Sequence, residues 1–405
     1  MKKLILTFMF FSAYTFISAQ GIINNGANIY VAHGAYIHGG TFSNYSGGAN
    51  PQIDLNGTIE LEGNWYNNSS GENIFANIET VPDGNLILSG VVESKIDGNK
   101  ATVFENLIIK NKEVALNTNN CEIEGQLTID GILNLNSNKI ILNNNAFDID
   151  YKSGYILSET NPYDGLGEVE IKIGNSRNLF NIPFGSGNAE NDLMITFIPE
   201  SSGSPSSGSV TFAVYPASDN NEPLPEGTSG LNPFQTDKTI NRFWEIAPDY
   251  NLKPDFTLSL SFNESDFPEN INTDNLKLIR YNSDKQLWND TTFDIILNGN
   301  TTTTQNISGL DFFNFWTLTE KEEIAVLNIP NGITPNNDGF NDTWVIDNLP
   351  EHTKVIIYNR WGDSVYSSDN YQNDWDGNNR PSGAYYYILT LSDGTLYHGD
   401  LNILK

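Results

Sequence analysis

Side-chain oxygens that could hold a metal ion gather near the C-terminal end of the sequence. Asn336, Asp338, Asn341 and Asp342 surround Gly339 within a short stretch. Amide and carboxylate oxygens are ligands that calcium prefers, although no glutamate follows at EF-hand spacing. The same residue types are also typical of turns whose side chains accept hydrogen bonds from backbone amides. The sequence therefore predicts either a calcium site or an Asx-rich turn.

A scarce arginine beside a tryptophan is the second feature of chemical interest. The chain has five arginines, and one of them, Arg360, directly precedes Trp361. A guanidinium stacks favourably on an indole ring. We therefore expect Arg360 to lie on Trp361, and the scarcity of arginine makes it a candidate for contact with a partner. Trp375, which lies between Asp374 and Asp376, is expected to close one end of a β-sandwich; the alternative is a metal or partner site.

Signals for catalysis are weak elsewhere. His33 and His38 could share a metal, but no third ligand can be identified, and structural or solvated histidines are the alternative. The sequence has no G-x-S-x-G, H-E-x-x-H or P-loop pattern. Residues 1–150 contain no arginine, which argues against a polysaccharide lyase that must neutralise a uronate. A glycosidase needs only a carboxylate pair, and nothing in the sequence singles one out.

Charge and composition narrow the class of protein. The 50 acidic and 21 basic residues give a net charge of −29, which repels phosphate backbones and excludes nucleic acid as a partner. Aromatic residues make up 12% of the chain, too many for a disordered one. Cys121 is the single cysteine, so no intramolecular disulfide forms. The composition favours a protein that works outside the cell.

The N-terminus predicts export. Lys2 and Lys3 precede an apolar run over residues 4–17, and Ser18-Ala19-Gln20 follows as a cleavage site with small residues. Residues 1–19 are therefore expected to be a signal peptide. The alternative is a membrane anchor, but the run is shorter than the ~20 residues that a spanning helix needs.

The remaining chain predicts an all-β protein of several domains. Residues 20–149 contain short alternating runs that break at Gly and Asn, which favours a β-solenoid, with a β-sandwich as the alternative. Longer alternating runs over 150–320 predict an antiparallel β-sandwich. A charged run, 321–328, is expected to be a linker. Residues 329–405 alternate between strands and strong turns and are predicted to form an Ig-like β-sandwich, with a first strand at 343–346 and a central strand apolar on both faces.

Four motifs of this last segment resemble a known sorting domain: TPNNDGFNDTW, IYNRWGDSVY, NDWDGN and PSGAYYYIL, followed by a strand that ends at basic Lys405. Together they are similar to the gliding-motility-associated C-terminal domain, the type B sorting signal of the type IX secretion system of Bacteroidota. One departure is the first turn, where many members have Gly-Asp-Gly and this chain has Asn336-Asn337-Asp338-Gly339. Asparagine also tolerates left-handed backbone, so we expect the turn to be kept.

The resemblance implies a route and partners. The protein would cross the outer membrane through the type IX translocon, assisted by a type B-specific outer-membrane protein, and reach the cell surface or the medium. Residues of the motifs are then expected to form the sorting signal or to contact this machinery: Asp338, Gly339, Asn341, Asp342, Arg360, Trp361, Gly362, Trp375, Gly377, Gly383, Tyr385, Tyr387, Gly399 and Lys405.

The segment before the sorting domain, here called the passenger, is not identified by the resemblance. Adhesion or binding to a glycan surface is the prediction, because tyrosine and tryptophan on a flat β-face give broad contact with sugars. The alternatives are an extracellular carbohydrate-active enzyme, either a lyase or a glycosidase, and a purely structural surface-layer component.

Overall fold

A computed structural model describes residues 21–405, apart from 48–50, 72–73, 76–82, 118, 144–148, 159–166, 188–192, 219–220, 229–230, 232–235, 270, 321–326 and 392–393. The predicted signal peptide and most of the predicted linker lie outside these residues. The chain separates into two compact units, Met1–Lys321 and Glu322–Lys405. In the described part, no helix has the length and apolar character needed to cross a membrane.

Short strands numbered β1–β19 form the first half of the passenger. Their bounds are β1 Ile22–Asn25, β2 Ile29–Val31, β3 Tyr36–Gly39, β4 Phe42–Tyr45, β5 Ile53–Leu55, β6 Thr58–Leu61, β7 Trp65–Asn68, β8 Asn85–Leu88, β9 Ser94–Gly98, β10 Thr102–Phe104, β11 Asn106–Ile109, β12 Glu113–Leu116, β13 Cys121–Ile123, β14 Leu127–Ile129, β15 Ile132–Asn134, β16 Lys139–Leu142, β17 Asp150–Tyr151, β18 Tyr155–Leu157 and β19 Glu168–Ile171.

These strands stack as a parallel β-solenoid. One sheet has the order β1-β4-β7-β9-β12-β15-β18, a second has β17-β14-β11-β8-β6-β3, and the third side is built from β2-β5 and from β10-β13-β16-β19. The pairing is parallel, and equivalent residues are in register; Leu107, for example, lies between Leu86 and Leu127. The structure thus confirms the solenoid that the sequence favoured over a sandwich.

The register explains how such short strands hold together. Side chains alternate across each strand, so every turn of the solenoid sends one row of apolar residues inward to the same core. Leu86, Leu107 and Leu133 are fully buried there. Trp65 stacks on Phe42 at a ring distance of 4.9 Å, and its indole N–H donates to Thr102 Oγ1 at 3.1 Å. Cys121 is buried and free, and burial raises the pKa of its thiol to about 12.

Buried asparagines satisfy backbone groups where the solenoid turns. Asn24 Oδ1 accepts from the Ala27 N–H at 3.0 Å, and its Nδ2 donates to Ala27 O at 2.9 Å and to Asn44 Oδ1 of the next turn at 2.8 Å. Asn111 accepts from the Gly90 backbone N–H at 2.9 Å and donates to Ser94 Oγ at 2.6 Å. A buried amide without a partner is costly, so these side chains replace hydrogen bonds that a continuous strand would make.

Longer strands build the rest of the passenger. They are β20 Phe180–Ile182, β21 Ile195–Pro199, β22 Ser209–Pro216, β23 Arg242–Asp249, β24 Phe256–Ser261, β25 Leu276–Asn282, β26 Leu287–Phe293, β27 Ile296–Asn298, β28 Thr301–Ile307 and β29 Phe315–Glu320, with short 3-10 helices at Thr236–Lys238, Glu264–Asp266, Thr273–Asn275 and Gly309–Asp311.

Two sheets carry these strands. The third side of the solenoid continues past β19 as β22-β23-β29-β25-β26, and its pairing changes from parallel to antiparallel at β19. The other sheet has the order β20-β21-β24-β28-β27. In that sheet, the ring of Phe197 lies 5.7 Å from the ring of Phe212, and the ring of Phe256 lies 6.0 Å from the ring of Trp316. Phe212 and Trp316 belong to the sheet that continues from the solenoid. These contacts join the sheets in one core, as the predicted sandwich requires, while its boundary at residue 150 stays a prediction.

The second compact unit has its own core and one sheet. Its strands are β30 Gly332–Ile333, β31 Lys354–Tyr358, β32 Ser364–Ser368, β33 Gly383–Thr390 and β34 Leu396–Ile403. Their order is β30-β34-β33-β31-β32, and β31 and β32 form the predicted hairpin. Trp344 and Trp375 are buried on one face of this sheet.

Two details of the predicted Ig-like sandwich are wrong. The strand predicted at 343–346 is absent, because the side chain of Asn373 bonds both backbone groups of Ile346 and takes the place of a partner strand. The central strand β33 buries one face only, since Tyr386 is 50% and Ile388 is 37% exposed. A second sheet is not seen in the described part of this unit; irregular segments cover the buried face instead.

Replacing Asn111 with alanine tests the role of the buried amides. The Gly90 N–H would lose its acceptor, so the unfolding free energy should fall by about 1–3 kcal/mol. Thermal and urea unfolding of the variant measure this loss, with Lys112→Ala, an exposed neighbour, as the control. Equal stability of both variants would contradict the role assigned to Asn111.

Candidate interaction site in the C-terminal unit

The strand register brings the ends of several strands of the C-terminal unit to one edge. Gly383 begins β33 and pairs with Ile403 near the end of β34, while Ile333 ends β30 and pairs with the same residue. Tyr358 ends β31 opposite Tyr386 of β33. The segments that leave these strands therefore meet at one end of the sheet.

We call this the loop end, defined as residues 334–342, 359–363, 376–383 and 404–405. Contacts between the segments support the definition. The Leu404 N–H donates to Ile333 O at 3.0 Å, and the Lys405 N–H donates to Ser382 Oγ at 3.2 Å. A Cβ on Gly383 would lie 3.4 Å from Arg360 Nη2, which places the guanidinium beside the start of β33.

Asp342 organises the first segment of the loop end. Its Oδ1 accepts from the backbone N–H of Asn336 at 3.0 Å and of Asn337 at 2.6 Å, and its Oδ2 accepts from Gly339 N–H at 2.8 Å. Hydrogen bonds from these amides lower the pKa of the Asp342 carboxyl below its ordinary value. The charged carboxylate thus holds the loop in shape.

Asn336 and Asp338, two of the other residues predicted to bind calcium, use their oxygens in the same way. Asn336 Oδ1 accepts from Asp338 N–H at 3.0 Å, and Asp338 Oδ1 accepts from Phe340 N–H at 2.9 Å. Asn337 and Asn341 adopt left-handed backbone, with φ of 65° and 52°. These hydrogen bonds are those of an Asx-rich turn, and calcium binding stays a prediction.

Arg360 lies on Trp361 as expected. Its guanidinium carbon is 5.0 Å from the centre of the ring, and the indole is 76% exposed. The turn is fixed by Asn359, whose Oδ1 accepts from the N–H groups of Trp361 at 2.9 Å and Asp363 at 3.0 Å. Gly362 supplies a φ of +87°, which other residues rarely adopt. The pair is therefore displayed on a rigid turn.

Another group of predicted site residues lies inside the unit. Trp375, Tyr385 and Tyr387 are buried, and Tyr385 donates to Pro381 O at 3.1 Å. Tyr387 packs over its cross-strand neighbour Gly399, where a Cβ would come within 2.6 Å of the tyrosine oxygen. Gly377 touches the same core, since a Cβ there would lie 2.9 Å from Ile403 Cδ1. These residues support the loop end from within.

Phe340 is an exposed residue that the predicted site omits. Its side chain is 76% exposed, between Gly339 and Asn341 in the loop that Asp342 organises. A single large apolar residue inside a polar turn is the signal that could have identified it. Phe340 and Trp361 give the loop end two exposed aromatic rings on two of its segments.

The candidate histidines of the passenger face separate carboxylates. His33 Nδ1 lies 3.2 Å from Asp83 Oδ2, and His38 Nε2 lies 3.4 Å from Glu62 Oε1. The His38 ring stacks on Tyr36. The structure therefore gives each histidine its own surface contact, which favours the structural alternative.

A carboxylate cluster in the passenger was not recognisable from the sequence. Lys139 Nζ bonds Glu168 Oε2 at 2.8 Å and lies 3.5 Å from Glu170 Oε2. Glu245 lies on β23 opposite Ala213 of β22, and β22 pairs with the strand of Glu168. Burial raises the pKa of Glu245 to about 7, with help from the charge of Glu168 and opposition from Lys139. Glu245 thus stands out among the acidic residues.

Comparison with known proteins identifies the C-terminal unit alone. Residues 327–401 match the family model of the CHU_C type IX secretion signal domain. This match confirms the resemblance drawn from the sequence motifs, and it covers most of the unit that carries the loop end. Comparisons with curated proteins and with solved structures found no match to the chain.

Replacing Asp342 with alanine should loosen the loop without unfolding the unit. The amides of Asn336, Asn337 and Gly339 lose their acceptor, so their hydrogen exchange should accelerate while the melting temperature changes little. In the unmodified protein the same protection should be present at neutral pH and fade as acid protonates Asp342, because its folded pKa is lowered. Amide exchange read by NMR or mass spectrometry measures both effects.

Glu351→Ala, an exposed carboxylate of the same unit, is the control for this experiment. The melting midpoint with and without chelator completes it. A midpoint that falls on chelation, or exchange that is unchanged in Asp342→Ala, would contradict the Asx-turn assignment.

Glu245 should make passenger stability depend on pH. Its folded pKa of about 7 exceeds the ordinary value of 4.5, so stability is greatest below 4.5 and declines as the pH rises towards 7. Glu245→Gln removes the free-energy cost of ionising this buried carboxyl. The free energy of unfolding should therefore increase by about 2–3 kcal/mol above pH 7 and change little at pH 4. Urea unfolding at both pH values measures the gain. Glu226→Gln, an exposed control, should show no such difference; a gain that is equal at both pH values would exclude the titration of Glu245 as its cause.

Proposed function

We propose that the type IX secretion machinery exports this protein by recognising the loop end of its C-terminal unit. The match of residues 327–401 to the type IX secretion signal domain carries the proposal. That domain implies sorting to the cell surface or the extracellular space. The signal peptide over 1–19 belongs to the same proposal, since a type IX substrate must first cross the inner membrane.

The geometry of the loop end suggests how a receptor reads it. Arg360, Trp361 and Phe340 are displayed beside rigid turns, so little conformational entropy is lost when they are bound. Arginine and tryptophan are the residue types that most often dominate protein interfaces. Lys405 lies at the same edge. The finer proposal is that a type B-specific outer-membrane protein, acting with the translocon, contacts these side chains.

For the passenger we propose adhesion through glycan or surface binding. Exposed tyrosines on the solenoid support it: Tyr30 is 64%, Tyr36 is 56% and Tyr45 is 43% exposed. Rings on the outside of a regular β-face offer flat contacts that a sugar surface can share. The net charge of −29 favours ligands without a negative charge.

A second candidate, glycoside hydrolysis, has one observation in its favour. The pKa of Glu245 is raised to about 7, and Glu245 lies near Glu168, which forms an ion pair with Lys139. Two carboxylates held in unlike environments are the arrangement that a glycosidase uses for its acid and its base. New reducing ends from a polysaccharide panel, lost in Glu245→Gln, would support hydrolysis. Binding without new ends would support adhesion.

Replacing Arg360 with alanine tests recognition of the loop end. The guanidinium lies on an exposed ring at the surface of the unit, so the variant should fold normally and secrete several-fold less protein. Trp361→Ala should do the same. Immunoblots of medium, surface and periplasm measure export, and the melting temperature of purified protein reports the fold.

Lys354→Ala is the matched control, because it removes one positive charge at the opposite end of β31. It should be exported normally. Normal secretion of both Arg360→Ala and Trp361→Ala would contradict recognition through this pair, and equal loss in Lys354→Ala would show that general charge, and not the loop end, is read.

A further inference from the structure

The outer face of the first solenoid sheet carries an open groove. It spans β4, β7 and β9 and has a volume of about 390 Å³. The residues that line it include Tyr45, Tyr66, Asn68, Asp97, Gly98 and Asn99. All of these residues belong to adjacent turns of the solenoid, so one repeating backbone places their side chains on a common surface. None of the described residues that line it is basic.

Two tyrosines form the aromatic part of the groove. Tyr45 pairs with Asn68, and Tyr66 pairs with Ser43 and Asp97, so the two rings occupy diagonal positions on neighbouring strands. Diagonal positions in a sheet lie roughly 8 Å apart. The rings therefore form two successive steps along the groove and leave the amide of Asn68 beside Tyr45.

The polar groups of the groove are held in place before any ligand arrives. Tyr66 Oη accepts from Asn64 Nδ2 at 3.1 Å. Asp97 Oδ1 accepts from Gly98 N–H at 2.6 Å, and its Oδ2 accepts from Asn117 Nδ2 at 3.1 Å. Side chains that are fixed in this way lose little entropy on binding.

Gly98 allows two strands that line the groove to approach each other closely. Its φ is +130°, and a Cβ there would come within 2.2 Å of the backbone oxygen of Asn67. No other residue fits this position without moving the neighbouring strand. Gly98 is therefore required where the backbones of β7 and β9 come close together beside the groove.

We infer that this groove binds a neutral saccharide chain. A sugar ring offers C–H groups that pack on tyrosine and hydroxyls that exchange hydrogen bonds with amides and a carboxylate. An anionic polysaccharide would meet Asp97 with no cation among the lining residues, on a protein of net charge −29. The inference rests on the proposed adhesive function and assigns it a site and a ligand class.

Affinity electrophoresis of the chain from residue 20 to 405 tests the groove. Gels contain neutral laminarin, mannan or arabinoxylan, or anionic alginate. At least one neutral polysaccharide should retard the protein, and alginate should not. Tyr45→Ala and Tyr66→Ala should each weaken the retardation about tenfold or more, because each removes one ring of a small binding surface.

Tyr386→Ala is the matched control, since Tyr386 is an exposed tyrosine of β33, in the C-terminal unit and outside the solenoid. It should bind as the unmodified chain does, and melting temperatures establish that Tyr45→Ala remains folded. If a neutral polysaccharide retards Tyr45→Ala and the unmodified chain equally, the groove is wrong while the adhesive function stands. If no polysaccharide retards the unmodified chain, both fail, and retardation by alginate alone overturns the ligand class.

Discussion

Tight turns are the constraint on which the whole molecule depends. Strands of two to eight residues bury few side chains each, so every strand must be followed at once by a turn that returns the chain in register. Many of those turns need left-handed backbone, which costs energy for most residues. Of the twelve non-glycine residues described with positive φ, nine are asparagines, and glycines supply thirteen further positions. The abundance of Asn and Gly is thus a requirement of the fold.

The same turn chemistry produces different results in the two units. In the passenger, asparagines such as Asn111 are buried and replace strand hydrogen bonds, which lets the solenoid repeat without disulfides. In the C-terminal unit, Asn336 and Asn359 fold turns at the surface, where each accepts hydrogen bonds from neighbouring amides. Those turns display aromatic rings and a guanidinium. Asparagine side chains therefore stabilise the solenoid in one unit and hold the turns that present exposed side chains in the other.

The sequence predicted the local features well because local features depend on nearby residues. Alternation and turn residues predicted the all-β class, the solenoid, the hairpin of β31 and β32, and the stack of Arg360 on Trp361. The motifs alone are sufficient to identify the C-terminal domain, which the family match confirms. The strand predicted at 343–346 is absent because Asn373, 27 residues beyond Ile346, bonds the backbone N–H and C=O of Ile346 in place of a partner strand.

Features that depend on cross-strand register could not be predicted. The loop end needs the pairing of Gly383 and Ile333 with Ile403, and the raised pKa of Glu245 needs strands brought together from distant parts of the chain. The saccharide groove depends in the same way on three turns of the solenoid in register. Without a repeat of fixed length in the sequence, nothing specified which residues would be neighbours.

The most direct test of the account is to localise the protein with and without its C-terminal unit. Cells that express the full chain, and cells that express a chain ending at residue 321, would be fractionated into periplasm, surface and medium. The account predicts that the full chain reaches the surface or the medium and that the shortened chain stays in the periplasm, folded and protease-resistant. Export of the folded, shortened chain at the level of the full one would contradict it.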